Sequence, residues 1–195
     1  MAVEIKNHSD GTTAGVTKEK QLKTRAESHE LQHHVAWVNE DVYQCQAIDT
    51  SVTATTDQVL HIKNTSSTKK CVISYIRMQA VTDIAATAEV TEYFDVIVGD
   101  TVASGGSAAV VTNTNLSSGK VAEVTATLGD PTMDGVGTLI DRIYNPSSGY
   151  EHRYTKHGSL ILGLNDTIHV AFTSGASAGH VKVRFTFMMM DNDRD

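Results

Sequence analysis

His29-Glu30-Leu31-Gln32-His33 spells H-E-x-x-H, the strongest chemical pattern in the chain. On a helix, two histidines one turn apart can share a zinc ion, and the glutamate between them can act as general base for an attacking water. A catalytic zinc also needs a third protein ligand. In the extended form of the motif that place falls on Asn39, and the preceding glycine position is Ala36. The segment sits in a polar N-terminal stretch with little chain before it to build a supporting shell, and an unsupported site loses much of its affinity. The residues fit zinc; the surroundings speak against it. No metal, cofactor or catalytic residue is expected, with His29 and His33 as the fallback zinc pair.

Other constellations are weaker. Glu89, Thr91, Tyr93 and Asp95 share one face of a strand, but spacing alone raises no carboxyl pKa, so a wet sheet face is expected rather than a glycosidase pair. Asp130, Asp134 and Asp141 lack the ligand order of a calcium loop. Cys45 and Cys71 lie near no charge that would activate a thiol and are expected as small buried hydrophobes. Gly105-Gly106 and Gly175 to Gly179 are expected as hairpin loops, since a phosphate cradle needs a helix behind it. Arg142, Tyr144, Tyr150, His152, Arg153 and Tyr154 crowd RIYNPSSGYEHRYTKHG. Tyr and Arg are enriched where proteins meet proteins or sugars, so these six form the expected contact site.

The elements that must carry these residues are strands. HVKVRFTFMM alternates with Val181, Val183, Phe185, Phe187 and Met189 inward, against His180, Lys182, Arg184 and Thr186 outward. TIHVAFT places Ile168, Val170 and Phe172 inside and Thr167, His169 and Thr173 outside. SLILGL puts Leu160, Leu162 and Leu164 on one side. VAEVTATL alternates in the same manner, and CVISYIRMQAV is apolar on both faces, as a strand between two layers would be. Period-2 patterns of this kind mean half-buried antiparallel strands. About eight to ten strands over ~145 residues, with no helical segment between them, predict an all-β, jelly-roll-like antiparallel sandwich over residues 46–195. Residues 1–45 are read as an N-terminal arm, extended or partly helical.

Composition agrees. The chain has 195 residues, enough for one domain and an arm, and Thr and Val are abundant, a β-branched bias that suits a pleated surface. A net charge of −7 is the wrong sign for neutralising phosphates, so nucleic acid is not an expected partner. No apolar run approaches the ~20 residues of a membrane span, so no membrane partner is expected. With two cysteines and no signal-peptide pattern, synthesis in a reducing cytoplasm is expected. Three glycosylation triplets begin at Asn64, Asn115 and Asn165, and without such a signal they carry little meaning.

VLHIKNTSSTKKCVISYIRM, a strand, an Asn-Thr-Ser turn and a second strand, together with GSLILGLNDTIHVAFTSGASAGHVKVRFTFMM and the polar arm, resembles virion proteins of tailed bacteriophages. The likeness is to jelly-roll capsid cement or decoration proteins. That resemblance implies a non-enzymatic structural protein, a homotrimer that binds a major capsid protein or another virion protein and resides in the virion after synthesis in the host cytoplasm. The alternatives are a phage tail or fibre component that binds a host-surface glycan through the Tyr-rich loop, and a zinc-dependent hydrolase using residues 29–33.

Overall fold

A computed structural model describes residues 40–52, 56–81, 92–144, 151–155, 160–174 and 179–192. The H-E-x-x-H at 29–33, the arm ahead of residue 40 and Tyr150 lie outside these residues. Fourteen strands follow one another: β1 (Val42–Val52), β2 (Thr56–Asn64), β3 (Lys69–Val81), β4 (Tyr93–Val98), β5 (Val102–Ser104), β6 (Ser107–Ala108), β7 (Val111–Asn113), β8 (Val124–Leu128), β9 (Thr132–Met133), β10 (Thr138–Tyr144), β11 (Glu151–Tyr154), β12 (Ile161–Leu162), β13 (Thr167–Thr173) and β14 (Gly179–Asp191). Among the described residues the first strand starts at Val42.

All pairings are antiparallel and the long ones are nested. β1 pairs β14, β2 pairs β13, β3 pairs β11 and β12, and β4 pairs β10. The chain is thus one long hairpin, its first half laid against its second, and rolled so that successive pairs fall in opposite sheets. One sheet runs β11-β3-β14-β1-β7 with β12 also on β3, and the other runs β10-β4-β13-β2-β8-β6. This is the jelly-roll connectivity, and the all-β sandwich expected from alternation is the observed fold.

The inward row of β14 is as alternation requires: Val181, Val183, Phe185, Phe187 and Met189 are all buried. Phe187 stacks on Tyr43 of β1 at 5.8 Å, and in the other sheet Phe94 tilts against Phe172 at 4.8 Å. Burial of each such ring contributes roughly 1.5–3 kcal/mol. Cys45 and Cys71 join the same core as free thiols, and burial pushes the Cys45 thiol up to about 12.

Several expectations need correction. β3 is covered on both faces only at its start, where Val72 packs with Val42 and Met188 on the outer side. A register shift against β14 leaves Ser74 unpaired, so Cys71 and Ile73 point inward before it and Ile76 and Met78 after it. The outward places go to Tyr75, Arg77 and Gln79. A bulge joins two halves of opposite phase, which read together as one doubly apolar strand. Leu164 is exposed in a turn rather than aligned with Leu162. The glycine-rich segments are not hairpins. Gly105-Gly106 carries the chain from β5 in a two-stranded sheet to β6 in a six-stranded one; residues 175–178 lie outside the described residues, and β13 and β14 on either side of them stand in different sheets. Gly106 has φ +73° and a Cβ there would lie 2.7 Å from the Thr127 side chain, so glycine is required for both reasons.

Residues 99–137, inserted between β4 and β10, supply β5 to β9. β7 extends the first sheet past β1, and β8 and β6 extend the second past β2. Asp41 pins this insertion. Its carboxylate accepts from Tyr43 Oη at 3.0 Å and pairs with Lys69 at 2.9 Å and with Lys120 of the insertion at 3.3 Å.

Candidate functional site

The expected contact residues divide between two strand edges. Arg142 and Tyr144 stand on β10, the edge of one sheet, while His152, Arg153 and Tyr154 stand on β11, the edge of the other. Along β11, His152 and Tyr154 point inward and Glu151 and Arg153 outward. Tyr154 is only 6 % exposed and belongs to the core, so it cannot serve as a contact tyrosine. The loop reading failed there because EHRY is a strand, and a strand sends alternate residues to opposite faces.

On β10 the register sets Arg142 opposite Asp95 and Tyr144 opposite Tyr93. Arg142 donates from Nε to Asp95 Oδ1 at 2.6 Å and from Nη2 to Asp95 Oδ2 at 2.8 Å, a bidentate pair. Its guanidinium lies 3.9 Å above the Tyr93 ring, and Tyr93 and Tyr144 meet edge to face at 5.9 Å. The hydrogen bond to Asp95 raises the Arg142 pKa still further, so this group holds its charge at every working pH. The strand face expected to be merely wet is therefore a clamped arginine with aromatic walls. Both Asp95 carboxylate oxygens accept from Arg142. Tyr144 remains 60 % exposed and Leu139 of the same edge 49 % exposed. Chemically this arrangement recognises and packs. Asp95 and Tyr93 were visible in the alternation but not as partners of Arg142, since the pairing of β4 with β10 spans the insertion.

A second polar cluster overturns another expectation. His169 was expected outside, beside Thr167, yet both are buried, at 1 % and 2 %. β13 is central in its sheet, with β4 and β2 on either side. The Asp100 segment lies over its outer face: His61 of β2 makes a 3.3 Å contact from Nε2 to the Asp100 carbonyl oxygen, and the His61 and His169 rings lie 6.2 Å apart. Burial, then the neighbouring His61, pushes the His169 pKa down to about 4. Burial also lowers that of His61, against the raising influence of Asp100. His180, by contrast, is exposed as expected.

Among the described residues no group of three or more His, Cys, Asp or Glu lies close enough to hold a metal ion. Asp130 instead accepts from the Gln58 amide at 2.8 Å, a structural bond. Asn64 of the first glycosylation triplet is fully buried, its amide donating to Lys69 O and Leu162 O and accepting from Ser66 N, which leaves no access for a glycan. Compared with protein-family models, with curated proteins and with solved structures, the chain matches none.

Proposed function

We propose that this chain is a non-enzymatic structural protein of a virion, a jelly-roll cement or decoration protein that docks on a phage shell as a homotrimer. One observation carries the reading: the asymmetry of the sheet edges. Among the described residues the insertion carries the sheets past β1 and β2 to end in the short strands β7 and β6, whereas the opposite edges end in β11 and the longer β10. An uncovered edge offers a row of unpaired N–H and C=O groups to any neighbouring chain, and proteins normally blunt such edges. β10 is instead seven residues long and displays Leu139, Tyr144 and the clamped Arg142. Tyr and Arg dominate the centres of protein contacts, and symmetric assembly is one way to cover such an edge. The virion setting rests on the sequence resemblance.

Light scattering on the pure protein tests the first part. A stable trimer is expected, and Leu139→Lys at the β10 edge should shift it to monomer; a monomeric parent protein overturns the reading. Binding to purified shells of the virus that encodes the chain tests the second. Retention should be lost on deleting residues 1–39, a cut that leaves β1 whole. The glycan-binding alternative loses one of its tyrosines to the core with Tyr154.

A further inference from the structure

The outer face of the β11-β3-β14-β1 sheet carries an arrangement that sheet energetics alone would not select. Gln46 of β1 stands opposite Arg184 of β14, Arg184 opposite Arg77 of β3, and Arg77 opposite Arg153 of β11. Three arginines therefore occupy one cross-strand row on three successive strands. Directly opposed side chains have Cβ atoms about 4.5–5.5 Å apart, and like charges at that spacing destabilise a sheet. The next row adds Lys182 opposite Gln79 and Gln79 opposite Glu151. Among the described side chains of these two rows, four cations face a single carboxylate, in a chain whose net charge is −7.

Among the described residues the repulsion is only partly offset. Glu151 pairs with Arg77 at 3.3 Å, with both side chains at least a third exposed. The Tyr75 ring receives Arg153 at 4.3 Å and Arg77 at 5.3 Å. Among the described residues Arg184 has a neutral partner, donating from Nε to Gln46 Oε1 at 3.1 Å. Two arginines of the row, Arg77 and Arg184, line a groove of about 270 Å³ together with Gln46, Gln79, Glu151 and Lys182.

We propose that this groove binds an acidic saccharide, with Arg77 and Arg184 holding its carboxylate or sulfate. Guanidinium forks match such oxyanions with two parallel hydrogen bonds. The two glutamine amides and Glu151 are suited to sugar hydroxyls, the carboxylate as an acceptor only. That mixture favours a hydroxylated anion over a bare polyanion, which has no hydroxyls to donate to Glu151. The volume lies just under the usual range of about 300–1,000 Å³ for small-molecule sites and suits a short stretch of sugar. The site is independent of the virion reading and would stand if the chain proved monomeric.

Calorimetry on the full chain at low salt, with three probes, tests it: a sulfated, uronate-bearing hexasaccharide cut from heparin, maltohexaose, and hexaglutamate. The acidic hexasaccharide should bind with a Kd of about 1 mM or tighter. Maltohexaose should give no heat, and hexaglutamate should bind at least about tenfold more weakly, since it offers no hydroxyls. Arg184→Gln should weaken the acidic hexasaccharide by at least about tenfold, and Lys182→Gln by less. The unliganded Arg184→Gln protein should melt no lower than the parent, because one like-charge opposition is gone. Absence of binding, equal binding of maltohexaose or hexaglutamate, an unchanged affinity in Arg184→Gln, or a lower melting temperature of that variant would each overturn the proposal.

Discussion

His169 lies beneath a covered sheet face with His61 beside it and Asp100, Asp95 and Lys63 as the charged groups acting on the pair. Its folded pKa of about 4 is below the ordinary 6.5, so the unfolded chain binds the extra proton first as pH falls. The stabilisation is complete above about pH 6.5 and is lost as pH falls through 4. For His169 alone the shift corresponds to about 3 kcal/mol. His169→Gln, which keeps the size and cannot protonate, should flatten the fall in unfolding free energy between pH 6.5 and 4, measured by urea denaturation at each pH; an unchanged slope would contradict the burial argument. The sequence could not disclose this histidine. Alternation placed it correctly on the face opposite Ile168 and Val170, but which faces are roofed depends on where residues 99–137 fold back. Tyr154 is the reverse case, where a cluster of like residue types concealed a period of two.

Strands with strong alternation, β14 above all, were legible because one face of each is core and register leaves no choice. β3 was misread because a single bulge at Ser74 inverts the phase halfway along. The short strands of the insertion carry too few residues to show any period, and their pairing with β1 and β2 is set by tertiary closure. Gly137 at the end of the insertion is a sharp test of how tightly that closure is made. Its φ is +58°, and a Cβ would meet Ile97 Cγ2 at 2.5 Å and the Val98 carbonyl oxygen at 2.9 Å. Gly137→Ala should cost about 1–3 kcal/mol in chemical denaturation, through left-handed strain and overpacking together. Gly99, with φ +82° and nothing near its Cβ position, should show the backbone strain alone and a smaller loss on the same substitution.

For the molecule as a whole, nested pairing means that almost every stabilising contact joins residues far apart in sequence. β14 is flanked by β1 on one side and β3 on the other, so it completes the first sheet last in chain order. A chain stopped after Thr173 would expose both neighbouring strands and lose Phe185 and Phe187 from the core; it should show no cooperative melting transition by circular dichroism. Such long-range closure also predicts folding in the range of milliseconds to seconds, observable by stopped-flow fluorescence of the aromatic residues. The fold class was readable from the residues because side-chain orientation is local; the edge asymmetry and the arginine row were not, because they arise only once distant strands are set side by side. The pairing of Val42 with Met188 has a practical corollary. The polypeptide enters and leaves the sandwich at one corner, so cargo grafted before the first strand and cargo grafted after the final one would emerge as neighbours. A donor and an acceptor fluorophore placed at those two junctions would exchange energy efficiently, and the two junctions could be bridged by a short linker and the chain reopened elsewhere as a circular permutant.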